Sequence, residues 1–188
     1  MKKGLIITIV IVVIALILGS VCIGAYNSLV SSRESIDNQL ANIDTQLQRR
    51  VDLIPNLVNT VKGYAAHETE AIAQVSNSRA KLAGAQTTQE KANADAELSG
   101  SLSRLMMIVE NYPDLKANTQ FTALTDELAG TENRIAVARK DYNDMAKKYN
   151  TNIKTFPKMI FANMFGFEKA EYFEAAEGAD KAPQVNFD

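Results

Sequence analysis

The sequence predicts an all-α protein, with one N-terminal transmembrane helix followed by an elongated antiparallel helical bundle. Three observations predict it. Residues 5–25 carry no charge, the polar remainder repeats its apolar residues every seven positions, and no segment alternates in the two-residue period of a half-buried strand.

The uncharged run comes first. At ~1.5 Å per residue a helix over residues 5–25 reaches roughly 30 Å, the thickness of a bilayer's hydrocarbon core. A cleavable secretory signal has a shorter apolar region, about 7 to 15 residues, and small residues at its cleavage site. Here Ile23-Gly24-Ala25 puts a branched residue where a small one is wanted, so retention is expected. Val21 before Cys22 argues likewise against lipidation. Cys22 is the single cysteine; it reads as a small apolar residue in lipid and can form no intramolecular disulfide. Ala15 with Gly19 and Ser20 with Gly24 set small residues four apart, a spacing that allows close helix contact.

Flanking charge gives the orientation. Lys2 and Lys3 precede the run, whereas the first charges beyond it, Arg33 and Glu34, cancel. The positive-inside rule then predicts a single-pass protein of the cell membrane, N-terminus in the cytoplasm and domain outside. With those two lysines set aside, 18 of the 20 basic residues face 22 acidic ones, net −4. That balance offers no footprint for nucleic acid and little attraction for anionic lipid heads.

After the anchor, Leu29, Ile36, Ile43, Leu57 and Tyr64 recur in one heptad register, and Leu40, Leu47, Ile54 and Val61 fill the complementary one. Pro55 lacks an N–H and crowds the carbonyl of Val51, so a kink is expected there rather than a stop. Gly63 and the polar stretch around His67 mark a bend or end. Ile72, Val75 and Leu82 begin a more broken segment, which Leu98, Leu102, Leu105, Val109 and Tyr112 complete before Pro113 stops it. Gly84 to Thr88 is poor helix material and would split this segment. In the last repeat Phe121, Leu128, Ile135, Tyr142, Tyr149 and Phe156 hold one register, with Leu124, Ala138 and Met145 in the other.

Residues 26–66, 68–112 and 118–156 thus form three rods of similar length, or four if the middle one breaks near Gly84. Up-down-up packing would place the turn at Pro113 to Ala117 beside the membrane and the third rod parallel to the first. Residues 1–4 form a short basic N-terminus, 5–25 the transmembrane helix, 26–156 the bundle domain, and 157–188 an aromatic-rich tail packing on the bundle. Phe161, Phe165, Phe167, Tyr172 and Phe173 crowd that tail. It covers an open end of the core or serves as a membrane-surface or docking element.

Several stretches resemble the LemA family. They are Leu47-Gln48-Arg49-Arg50-Val51-Asp52-Leu53-Ile54-Pro55-Asn56-Leu57-Val58, then Val61 to Ala65 with His67-Glu68, and Glu110-Asn111-Tyr112-Pro113-Asp114-Leu115-Lys116-Ala117-Asn118. Thr131 to Ile135 with Ala138-Arg139, Tyr142-Asn143, Phe156-Pro157, Gly166-Phe167, Tyr172-Phe173, Pro183, Val185 and Phe187 match as well. The resemblance covers nearly the whole chain. One departure is visible, since the family often carries a tryptophan between the anchor and Arg49 and this chain has none, with Ala41 or a neighbour near that place. The resemblance implies a bacterial cell-envelope protein with one membrane helix, a helical bundle, no assigned activity and no catalytic residues to carry over.

The residues themselves offer no active site. His67 with Glu68 and Glu70 is the sole histidine cluster, and one imidazole beside flexible carboxylates suits a solvated turn better than a metal site. No serine stands in a strained nucleophile turn, and no glycine-rich phosphate loop is present. Arg33 and Arg50 are more informative because both fall on the seam of the first rod. A buried ion pair is the expected reading, against an anion-binding role. In the up-down-up register the carboxylate opposite Arg50 would be Asp141 or Asp144. The structural or interaction candidates are therefore Arg33, Arg49, Arg50, Asp52, Pro55, Tyr112, Pro113, Asp141, Asp144, Phe156 and Phe167, with no catalytic, cofactor or metal residue. The expected function is a non-enzymatic scaffold or adaptor for other envelope proteins, held in the bilayer by residues 5–25, without cofactor or nucleic acid and compatible with a homo-oligomer. The alternative is a sensor subunit holding a small anion or peptide in the bundle, and an enzyme ranks third.

Overall fold

A computed structural model describes residues 2–174; Pro183, Val185, Phe187 and the rest of the tail's end lie outside the described residues. The described residues are helical, without a strand. In order they form α1 (Lys2–Tyr64), α2 (Thr69–Gly84), α3 (Thr88–Val109), a single turn α4 (Pro113–Lys116), α5 (Thr119–Asn152) and α6 (Lys158–Phe165). They divide into two compact units. One is Met1–Gln39 with Asn143–Glu171; the other is Leu40–Tyr142 with the segment that starts at Tyr172.

The middle segment is two helices, broken where Gly84 to Thr88 predicted. The second helix has its own start signal. Thr87 and Glu90 form a capping box: the Thr87 hydroxyl accepts from the Glu90 N–H at 3.1 Å, and the Glu90 carboxylate accepts from the N–H groups of Thr87 and Gln86 at 3.0 and 2.8 Å. Asn118 caps α5 by accepting from the N–H groups of Gln120 and Phe121. Pro113 occupies the first turn of α4, where its missing N–H costs nothing.

The extra turn reverses α3 and α5 relative to the expected rods. Within the second unit, Lys91 reaches Asp44 and Asp95 reaches Arg50, so α3 runs parallel to α1. Arg134 donates to Gln46 and Asn118 to Tyr64, so α5 runs antiparallel to α1. This corrects the expected parallel third rod. The turn at Pro113 to Ala117 accordingly joins α3 to an α5 that starts beside Tyr64, at the C-terminal end of α1.

Ile43, Leu47, Val51, Ile54, Leu57 and Val61 of α1 form the buried stripe of this unit. Buried in the same unit are Val75 and Leu82 of α2, Leu98, Leu102 and Leu105 of α3, and Phe121, Leu128, Ile135 and Tyr142 of α5. Tyr64, counted as a stripe residue from its spacing, is largely exposed and accepts from Asn118 instead. Helix α1 continues through Pro55. The Val51 carbonyl, whose normal partner would be the N–H that Pro55 lacks, accepts from Arg79 Nε of α2 at 2.8 Å.

In the first unit residues 5–18 of α1 are exposed throughout, and this helix is long and apolar enough to cross a membrane by length and composition. Beyond it Leu29 and Ile36 of α1 are buried, as are Ala146 and Tyr149 of α5 and Ala162 of α6. Gly166, at φ +72, ends α6 in the left-handed conformation that a side chain resists, and Phe167 donates its N–H back to the Ala162 carbonyl. The irregular segment that follows is pinned to α5. Asn150 exchanges two hydrogen bonds with the Ala170 backbone at 2.9 and 2.8 Å, and the Tyr149 hydroxyl donates to the Glu168 carbonyl at 2.9 Å.

Candidate functional site

Heptad positions 43, 47, 50, 54, 57 and 61 make one seam of α1, and a guanidinium occupies the third of them. Arg50 is 1% exposed. Asp95 occupies the corresponding seam of α3, spaced with Leu98, Leu102, Leu105 and Val109, and is also buried. The two meet as a salt bridge, Arg50 Nη1 to Asp95 Oδ1, at 2.6 Å. Arg50 Nη2 donates to the Ser99 hydroxyl at 2.9 Å and faces Glu132 Oε2 of α5 at 3.4 Å.

The second Asp95 oxygen binds Arg139 of α5 at 3.0 Å. Asp95 therefore bridges two guanidinium groups carried by two different helices. Arg139 lies over the ring of Phe173, 5.4 Å from its centroid, and that ring packs edge-on against Tyr142 at 5.2 Å. Burial pushes the Arg139 guanidinium below its ordinary range, Asp95 opposes this, and the charge of Arg50 adds to the lowering; arginine stays charged regardless. Two positive and two negative charges thus close on one another. Arg50 Nε and Arg139 Nε are buried donors without a protein partner.

The other candidates lie apart from this cluster. Arg33 is not a buried seam residue: it is half exposed and pairs with Asp37 one turn on at 3.4 Å. Burial pushes the nearby Tyr149 phenol upward, and Arg33 opposes that shift. Arg49 binds Glu127, which also holds Arg134. Asp52 accepts from Gln48. The Tyr112 hydroxyl donates to Glu68 at 2.7 Å, tying the start of α2 to the end of α3, and this bond pushes the phenol upward. Phe156 is 74% exposed; Phe167 packs edge-on against Tyr26 at 5.9 Å.

The carboxylate facing Arg50 is Asp95, not Asp141 or Asp144. The error follows from the helix count. Asp141 lies on α5, which runs antiparallel to α1, so the α5 residue level with Arg50 is Glu132, nine positions earlier. Asp144 falls in the other unit. Asp95, Ser99, Glu132, Arg139 and Phe173 were not singled out from the sequence as a set. The signal for Asp95 was there, because a carboxylate on a heptad seam calls for a buried cation as surely as Arg50 calls for an anion. Among the described residues no group of three or more His, Cys, Asp or Glu is placed to hold a metal.

Comparison with known proteins finds relatives that cover most of the chain. The chain is 28% identical to the magnetosome protein MamQ 2 of Paramagnetospirillum magneticum over 82% of this chain and 66% of that protein. It is 28% identical to MamQ of Magnetospirillum gryphiswaldense over 85% of this chain and 70% of that protein. It is 24% identical to Protein LemA of Metamycoplasma hominis, over 84% and 72% respectively. The chain thus spans just under two thirds of the length of the first of these relatives. The LemA family profile matches residues 39–187, which include Arg50, Asp95, Glu132 and Arg139, and the chain, a membrane-associated helical protein, belongs to the LemA family.

Proposed function

We propose that the protein is a non-enzymatic scaffold, anchored in the membrane by residues 5–25, whose bundle presents outer faces to other envelope proteins. One observation carries this reading: the polar cluster on the seam is spent internally. Arg50 and Arg139 are neutralised by Asp95 and Glu132, and Arg50 is buried at 1% exposure. A guanidinium that holds a ligand needs a face left open for it, whereas one that fixes helix register needs a partner on the next helix. The relatives' names denote a magnetosome protein and a LemA protein, not a reaction.

The exposed apolar residues support the same reading. Met107 on α3 is 65% exposed and Val137 on α5 is 60% exposed, both on helices of the bundle unit. Photo-crosslinking from these two positions in intact membranes is the test. Discrete adducts with the same envelope proteins at both growth and assay concentrations are expected, and adducts that appear only with a small solute present would replace the scaffold by a sensor. The sensor reading has its own support in the two unpartnered Nε groups of Arg50 and Arg139, which a small acceptor would satisfy. For orientation, the lysines before the apolar run support a cytoplasmic N-terminus, and protease added outside spheroplasts should cleave the bundle.

A further inference from the structure

Helix α6 is apolar on the side that the protein does not cover. Ala162 is buried at 1% exposure and Phe161 is half-buried, yet Met159, Ile160, Met164 and Phe165 are 41%, 51%, 60% and 45% exposed, with Phe156 at 74% just before them. A helix on the outside of a water-soluble domain shows the reverse distribution. Contiguous exposed apolar side chains of this kind mark a surface that something else covers.

The position of α6 says what covers it. The uncharged run ends at Ala25, and Tyr26, the next residue, packs edge-on against Phe165 at 4.9 Å and Phe167 at 5.9 Å. Lys158, at the start of α6, donates to the Ser28 hydroxyl at 2.9 Å. Both ends of the short helix are therefore fastened to the first turn of α1 beyond the apolar run. Phe and other apolar side chains beside lysines, next to the end of a membrane helix, are the composition of an interfacial helix. The local charge agrees: residues 147–167 contain four lysines and no carboxylate, although the chain as a whole is net −2. Lys147, Lys148 and Lys154 are exposed.

From this juxtaposition we infer that α6 is a lipid-binding element, lying on the bilayer surface with Phe156, Ile160 and Met164 in the headgroup–acyl boundary and the neighbouring lysines at anionic phospholipid heads. The chain is held by two membrane contacts, a span and an interfacial helix fixed to it. The inference rests on the reading of residues 5–25 as an anchor, and the test separates the two.

The chain contains no tryptophan, so Ile160→Trp, Ile11→Trp and Met107→Trp each provide one emitter in the full-length protein. The variants are reconstituted in phosphatidylcholine–phosphatidylglycerol vesicles containing lipids brominated at shallow or deep acyl carbons. Ile160→Trp should emit in the blue and lose most of its intensity to shallow bromines, Ile11→Trp should be quenched by deep bromines, and Met107→Trp should remain red-shifted and unquenched. Adding Lys148→Glu and Lys154→Glu should lower the quenching of Ile160→Trp. Red, unquenched emission from Ile160→Trp beside a quenched Ile11→Trp would overturn the inference while leaving the anchor standing. Loss of quenching at both positions would overturn the anchor as well. Quenching of Ile160→Trp that ignores the lysine substitutions and persists in pure phosphatidylcholine would refute the anionic-head contact.

Discussion

Arg50 concentrates the energetic risk of this fold in one side chain. Its guanidinium is nearly inaccessible, and so is the Asp95 carboxylate that it meets at 2.6 Å. Removing one member of such a pair leaves a charge in a poorly solvated place, which typically costs about 3 to 5 kcal/mol, while an exposed pair is worth roughly 1 kcal/mol or less. Because Asp95 keeps Arg139 when Arg50 is removed, Arg50→Ala should lower the unfolding free energy of the full chain in micelles by more than the roughly 1 kcal/mol of an exposed pair and toward the low end of about 3 to 5 kcal/mol, and Arg49→Ala, at the half-exposed Glu127 pair, by under about 1 kcal/mol. A double-mutant cycle of Arg50 with Asp95 should show strong coupling, whereas one with Asp141 should be additive within about 0.5 kcal/mol. Strong Arg50–Asp141 coupling would contradict the antiparallel α5.

At the scale of elements, two junctions give further tests. Helix α1 tolerates Pro55 because Arg79 takes the carbonyl of Val51. A buried carbonyl that loses a charged donor costs about 1 to 3 kcal/mol, so Arg79→Met should destabilise by about that much in urea titrations. Pro55→Ala restores the natural N–H donor and should remove most of this penalty; an additive outcome would show that the bond does not carry the effect. At the start of α3, the N–H groups of Thr87 and Gln86 donate to Glu90 and hold its carboxyl below the ordinary glutamate range. A depressed folded value stabilises the helix start above the unfolded pKa, and the contribution disappears as pH falls through the folded one. The amide shifts of Gln86 and Thr87 should thus titrate together below the usual glutamate midpoint, and Glu90→Gln should abolish that titration.

These junctions also explain what was legible in the sequence. Heptad spacing placed Ile43, Leu47, Ile54, Leu57 and Val61 in the core, and the weak helix formers at Gly84 to Thr88 marked the break. The chain direction of α5 was not legible from rod lengths, because it depends on whether that break is a turn. The threonine and glutamate at 87 and 90, three apart as in a capping box, were the local evidence that it is. Exposure could not be read from heptad position either, since Arg33 shares the seam spacing and still lies half in solvent.

At the scale of the whole molecule, the charged cluster is where the proposed scaffold role can be separated from a binding role. Arg50 on α1, Asp95 on α3, and Glu132 and Arg139 on α5 tie three helices together in one register, and Phe173 closes over Arg139 from the tail. Buried ionic groups often add less stability than well-packed apolar residues of similar volume would. If fixing register is their whole purpose here, an apolar set of matching size should serve as well. The decisive measurement is the crosslinking profile from Val137 in membranes carrying Arg50→Met, Asp95→Leu and Arg139→Met together, with circular dichroism confirming the folded state. A scaffold predicts a folded variant with the parent's protein adducts, and a folded variant that has lost them would contradict it.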